Sequence, residues 1–214
     1  MKTKQKLIDN YSRLAEVYAE KFCTELDGKP FDRELLQRFV LASPPNYPVC
    51  DLGCGPGHIA NYLKSLTADV FGIDLSPEMI QIAKRRYPSI DYRVGDMLEL
   101  DLPLNSLGGI VAFYSIIHLQ RHQLEGAFSG MLRVLVPGGS VLASFHRGTG
   151  EHHQDGSLGK PVEFDCTLFE PDEVAHAMNR AGLSVKEIAT RPPYDFEYPS
   201  TRVYVWGEKG SGDL

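Results

Sequence analysis

The run Val49-Cys50-Asp51-Leu52-Gly53-Cys54-Gly55-Pro56-Gly57-His58-Ile59 places glycines at alternate positions between an apolar stretch and the start of a helical pattern. Without a Cβ, such a segment can turn sharply from strand to helix and let a ligand lie against bare backbone amides. Asp51 stands just ahead of the loop, where a carboxylate suits a cationic ligand. Two further apolar runs also end in acids. Val70-Phe71-Gly72-Ile73-Asp74 lies about 20 residues beyond the glycines, the distance at which a βαβ unit sets a carboxylate on ribose hydroxyls. Ile90 to Val94 leads into Gly95-Asp96-Met97. Ser76-Pro77-Glu78-Met79 opens a helix, with Ser76 as N-cap and proline in the first turn. One acid at a strand end is ordinarily a cap or a surface charge, whereas three at successive strand ends describe a site for a nucleotide-type ligand.

A dinucleotide fingerprint reads Gly-x-Gly-x-x-Gly and presents a helix N-terminus to a pyrophosphate; counted from Gly53, its third glycine position holds His58. The sequence Asp51-Leu52-Gly53-Cys54-Gly55-Pro56-Gly57 instead resembles motif I of the class I S-adenosylmethionine (SAM)-dependent methyltransferases, and the likeness extends over roughly residues 45–145. The resemblance implies that Gly53, Cys54, Gly55, Gly57 and His58 hold the aminoacyl end of SAM, with Asp51 beside them. It further implies that Asp74 takes the ribose, that Asp96 meets the adenine amine with Gly95 beside the cofactor at the same strand end, and that Leu75, Met79 and Met97 sandwich the ring. Tyr114, in Ala112-Phe113-Tyr114-Ser115, falls at the end of the fourth strand beside the same ligand. Tyr11 and Tyr18 lie in a segment similar to the N-terminal helix that caps SAM in many small-molecule members. Phosphoethanolamine methyltransferases are similar in pairing a tyrosine of that helix with a histidine soon after the fourth strand, places held here by Tyr11 and His118.

These residues need a frame. The pattern alternates strand and helix, which predicts an α/β fold: a Rossmann-like, seven-stranded, mostly parallel sheet with helices on both faces and a C-terminal antiparallel hairpin. The fourth strand is expected over Leu107 to Tyr114, a helix over Arg121 to Val136, and the fifth strand over Gly139 to Phe145 after a Pro137-Gly138-Gly139 turn. A helix from Pro171 to Ala181 and strands from Leu183 to Thr190 and Thr201 to Gly207 follow. Two amphipathic helices, Lys6 to Glu25 and Phe31 to Leu41, precede the core. The expected organisation is a helical cap over residues 1–44, a SAM-binding core over 45–208 and a flexible tail over 209–214. Ligands of such sheets bind at the carboxyl ends of strands, so loops 147–170 and 192–199 are expected to face the substrate. The first is read as a structureless lid or a disordered segment; the aromatics of the second either wall a pocket or cover the hairpin end.

With a net charge of −6 the chain lacks the basic stripe that nucleic acid requires. Pro192-Pro193-Tyr194 follows the penultimate strand rather than the fourth, so it is not the motif of amino-methylating DNA enzymes. No apolar run approaches a membrane span and the N-terminus has no signal core, which predicts a cytoplasmic protein. Cys23, Cys50, Cys54 and Cys166 form no C-x-x-C pair and are read as free thiols. No acid ends the fourth strand where metal-dependent O-methyltransferases carry one, so no metal is expected. The sequence thus predicts transfer of a methyl group to oxygen or nitrogen of a small-molecule acceptor, with His118 or His146 as candidate base and Tyr11 beside His118. A non-catalytic SAM-binding or regulatory module is the alternative, distinguished by the absence of an acceptor pocket; a dehydrogenase is a more distant one. The sequence leaves open whether the chain is a monomer or a homodimer.

Overall fold

A computed structural model describes residues 4–66 and 69–212. Nine strands and six α-helices build it: α1 (Lys4–Phe22), α2 (Pro30–Ala42), β1 (Val49–Leu52), α3 (His58–Ser65), β2 (Val70–Asp74), α4 (Pro77–Arg86), β3 (Asp91–Val94), β4 (Leu107–Phe113), α5 (Leu124–Val134), β5 (Leu135–His146), β6 (Glu151–Ser157), β7 (Lys160–Thr167), α6 (Pro171–Arg180), β8 (Leu183–Arg191) and β9 (Arg202–Lys209). Seven strands form one sheet in the order β3-β2-β1-β4-β5-β9-β8. All pairings are parallel except those of β9, which runs antiparallel between β5 and β8. The predicted fold class therefore holds.

Strand alternation divides the core. Val49, Val70, Val111 and Leu142 point to one face, where α2, α3 and α4 cover them with Leu36, Phe39, Leu63 and Ile80. Cys50, Leu52, Ile110 and Val141 point to the other, against Phe128, Met131 and Met178 of α5 and α6. β1, β4 and the middle of β5 are buried on both faces, as parallel strands between two helical layers must be.

Two expectations are corrected. Pro137-Gly138-Gly139 does not precede the fifth strand but lies inside it: Leu135 already pairs with Leu107, and the register then shifts before Gly109 meets Ser140. Proline has no N–H to give the ladder and Gly138 takes φ +79°, so the chain bulges here instead of turning. The helix expected from Arg121 correspondingly begins at Leu124, after a 3-10 turn. The second correction concerns 147–170, which is no structureless loop. β6 and β7 form an antiparallel hairpin closed by Leu158 and Gly159, with φ +51° and +75°, as a two-residue turn of the primed type requires. Val162 and Phe164, with Cys166 beside them, pack on Leu14 and Tyr11 of α1. Beyond Lys209 no regular structure follows as far as Gly212; the last two residues of the expected tail, and residues 1–3 of the expected cap, lie outside the described residues.

Candidate active site

The sheet order reverses between β1 and β4, and a cleft opens at the carboxyl ends of these strands. Its floor is the β1–α3 turn. Gly55 sits there at φ +50°, and a Cβ built on it would meet nothing within 4 Å, because it would project into the cleft. Gly53, at φ +78°, is instead pressed on Ser115, whose hydroxyl donates to the Leu52 carbonyl at 2.7 Å and so ties the turn to the end of β4. Asp74, at the end of β2, fixes the rim: Oδ2 accepts the Gly55 N–H and Oδ1 the Ser76 N–H, both at 2.8 Å. Burial pushes this carboxyl up and the backbone donors pull it back. Ser76 caps α4 by accepting from the Met79 N–H, as its sequence position predicts.

Leu75, Met79, Gly95, Asp96 and Met97 line the same side of the cleft. Asp96 Oδ1 accepts the Leu98 N–H at 2.9 Å, and Oδ2 stands 2.7 Å from Lys4 Nζ. α1 closes the open side with Tyr11 and Tyr18. Beyond the turn the space continues toward His118, Leu119, Gln123 and Phe164, between α1 and the hairpin. There the Tyr11 hydroxyl lies 2.7 Å from His118 Nε2, and the Tyr11 and Phe164 ring centroids are 4.9 Å apart. Burial raises the Tyr11 phenol well above its ordinary range, so it stays protonated, and it donates to Nε2 or accepts from it according to the imidazole tautomer. A neutral imidazole that carries its proton on Nδ1 takes the Tyr11 hydroxyl hydrogen at Nε2.

Other predicted residues stand outside the cleft wall. Asp51 is fully buried behind the turn, where Oδ2 accepts the Ala60 N–H at 2.9 Å and Oδ1 has no hydrogen-bond partner among the described residues. Burial lifts this carboxyl to about 8, so a cation on the far side of the turn favours its ionised form. Gly57 is the left-handed N-cap of α3, packed on Tyr92, and the Cys54 thiol is buried next to Gly72. His58 Nε2 reaches Glu25 Oε1 at 2.5 Å and fastens the start of α3 to the 3-10 turn Glu25–Gly28. His146 bonds Ser200 Oγ through Nδ1 at 2.7 Å and approaches the cleft only through Tyr114, 5.2 Å away between ring centroids. Burial, aided by Arg202, lowers it to about 4, so it is neutral at physiological pH.

Tyr114 lines the cleft at φ +54°, a left-handed conformation rare for a tyrosine. Its N–H donates to Ser144 Oγ at 2.9 Å, and its hydroxyl meets that of Tyr204 at 3.3 Å. Behind it lies a buried cluster absent from the sequence reading. Arg191 bonds Asp32 and Glu197, Tyr204 donates to Asp32 at 2.6 Å, and Lys29 pairs with both Glu25 and Glu197. The aromatics of 192–199 are not among the residues that line the cleft: Tyr194 stacks on Phe196, which lies against Gly28 of the 3-10 turn before α2. Among the described residues no group of three His, Cys, Asp or Glu converges as for a metal; His153 is held between Asp155 and Asp165 on the exposed face of the hairpin. All four cysteines are free thiols, and no described helix is long and apolar enough to cross a membrane.

Residues 49–139 match the family described as Methyltransferase domain. A probable S-adenosylmethionine-dependent methyltransferase of Mycolicibacterium smegmatis is 36% identical over 142 residues, covering 65% of this chain and 52% of that protein. The malonyl-acyl-carrier-protein O-methyltransferase of Yersinia pestis is 29% identical over 143 residues, covering 66% of this chain and 50% of the enzyme. A SAM-dependent methyltransferase structure from Methanosarcina mazei has the same fold, with a TM-score of 0.72 over 79% of this chain and 95% of its own at 16% identity. The chain spans about half the length of these two curated relatives. With the open cradle at Gly55 and the Asp74 rim beside them, residues 49–139 are similar to the methyltransferase domain family, and the chain shares the fold of the SAM-dependent methyltransferase structure.

The Asp74 assignment has a direct check. Asp74→Ala is expected to weaken SAM binding by about 1.5–3 kcal/mol, roughly tenfold to a hundredfold, in a calorimetric titration. Wild-type affinity in a folded variant would remove Asp74 from the cofactor site.

Proposed function

We propose that the chain transfers a methyl group from SAM to oxygen or nitrogen of a small-molecule acceptor, without a metal, and that Tyr11 and His118 manage the acceptor's proton. The observation that carries this reading is the 2.7 Å contact between the Tyr11 hydroxyl and His118 Nε2, in a space that continues past the cofactor cradle. SAM supplies an activated methyl on a sulfonium, so the protein's task is alignment, exclusion of water and proton removal. A carboxylate acceptor needs no base, whereas a phenol or an ammonium must lose a proton. In the proposed relay the acceptor's proton passes to the Tyr11 oxygen while the Tyr11 proton passes to His118 Nε2, leaving an imidazolium. Gly53, Gly55, Asp74, Leu75, Met79, Gly95, Asp96, Met97, Tyr114 and Tyr18 are assigned to the cofactor as the cleft presents them. Asp51, Cys54, Gly57 and His58 are assigned a supporting part from behind the turn, and His146 is left as the second candidate base. The charge of −6 supports a small acceptor over nucleic acid, and a cytoplasmic setting remains part of this reading.

The test is formation of S-adenosylhomocysteine with a panel of phenols, amines and carboxylates. Tyr11→Phe and His118→Ala are each expected to lower turnover by about 10²–10⁴ on a proton-bearing acceptor while leaving SAM affinity within a few-fold of wild type. Full turnover by both variants would leave alignment alone as the source of catalysis. Cofactor binding without turnover on any acceptor would favour the non-catalytic module.

A further inference from the structure

The first turns of α1 are fastened to opposite walls of the cleft. Lys4 Nζ stands 2.7 Å from Asp96 Oδ2 at the end of β3, and Lys6 Nζ stands 2.6 Å from Glu163 Oε2 in β7. All four residues line the cleft. One pair thus spans the adenine end and the other spans the hairpin that bounds the acceptor space. Glu99 lies near Lys4, and Asp155 and Asp165 lie near Lys6, so the neighbouring charges add to the attraction on both lysines. Next to the second pair the Asn10 side chain donates to the Glu163 carbonyl at 2.5 Å, which sets the height of the helix over the strand.

We infer that Lys4 and Lys6 form a two-point electrostatic latch that holds α1 closed over bound cofactor, with Lys4 also positioning the Asp96 carboxylate toward adenine. The inference rests on the cofactor assignments above and is independent of the acceptor. Asp96 is already committed through Oδ1 to the Leu98 N–H, and Lys4 restrains the other oxygen. A carboxylate oxygen has lone pairs for two donors, so the adenine amine can join Lys4 there. The ring is uncharged and does not repel the ammonium. Both lysines are solvent-exposed, with side-chain exposures of 55% for Lys4 and 39% for Lys6, so each pair is weak and sensitive to salt. A lid that must open once per turnover to release product needs fastenings of that kind.

The experiment is stopped-flow dissociation of S-adenosylhomocysteine from the full chain, at about 20 mM and about 500 mM salt, where screening lengths differ severalfold. Lys4→Met and Lys6→Met are each expected to raise the dissociation rate about two- to fivefold at low salt, and the double variant roughly tenfold. Raising the salt should speed release from wild type but not from the double variant, and Lys4→Arg should restore the wild-type rate. A purely structural loss would not remove the salt dependence. Salt-independent release from wild type, or equal rates in wild type and the double variant, overturns the latch. Tighter binding by Lys4→Met also overturns it, since Lys4 would then compete with adenine for Asp96. Failure of wild type to bind S-adenosylhomocysteine overturns the cofactor assignments and the latch together, whereas binding without these rate differences overturns the latch alone.

Discussion

Replacing Asp32 by alanine is expected to cost about 3–5 kcal/mol of folding stability, the range for breaking a buried ion pair from one side. Asp32 is completely buried in α2, accepting from Arg191 Nε at 2.9 Å and from the Tyr204 hydroxyl at 2.6 Å. Its removal leaves the buried guanidinium with Glu197 as its carboxylate partner, beside the Pro192 carbonyl and the Tyr204 hydroxyl, and leaves the Tyr204 phenol without its carboxylate acceptor. Chemical denaturation measures the loss, and Asp32→Asn, which keeps an acceptor oxygen, should lose less. A cost below about 1 kcal/mol for the alanine variant would mean that the site relaxes and the cluster is not tightly held. The same cluster predicts acid sensitivity. Burial works against ionised Glu197, but hydrogen bonds from Arg191, the Tyr194 N–H and Lys29 outweigh it and hold the carboxyl down to about 2. Because the folded-state value is depressed, its stabilisation is complete above the ordinary carboxylate pKa near ~4.3 and is lost as pH falls toward the folded value. Glu197→Gln should flatten the fall in stability across that acid range.

Valine at position 55 is expected to abolish SAM binding, by a hundredfold or more on the order-of-magnitude scale of affinities, in a protein that still folds. The left-handed φ of +50° makes any side chain unwelcome there, at about 1–2 kcal/mol or somewhat more for a branched one. A Cβ built there meets no protein atom within 4 Å and projects into the cleft, so the steric cost falls on the ligand. Gly53→Val is the contrasting case: its Cβ would lie 2.3 Å from the Ser115 Cβ, so this variant should fail in folding before binding is asked of it. Calorimetry paired with denaturation separates the two. Near-normal binding by Gly55→Val would reduce the glycine run to an ordinary turn.

Much of the cofactor side was legible because its information is local. A glycine run, an acid closing each apolar stretch and a Ser-Pro helix start lie within a few residues of one another, and the mostly parallel sheet follows from the alternation of strand and helix, although its strand order does not. The hairpin was legible in part. Val162, Phe164 and Cys166 alternate with polar residues, a strand signature masked by four glycines and a run of charged and histidine residues in the same stretch. Pro137-Gly138-Gly139 was misplaced because the residues that make a turn also make a bulge, and only the partner strand decides between them. The buried cluster left no local trace, since Asp32 and Arg191 are 159 positions apart and each reads as an ordinary surface charge. Tyr11 and His118, 107 positions apart, were paired in the sequence only through a family resemblance.

The hairpin leaves β5 at Arg147 and returns at Phe169, and these two residues touch as neighbours through an isolated bridge. The excursion hangs from a single point of the sheet, contributes no strand to it, and lays its apolar face on α1. Lengthening or shortening such an excursion changes closure entropy only slowly and disturbs none of the central pairings. The hairpin is therefore an interchangeable part of the architecture: its length and its face toward the cleft can change while the glycine turn across the cleft stays as it is.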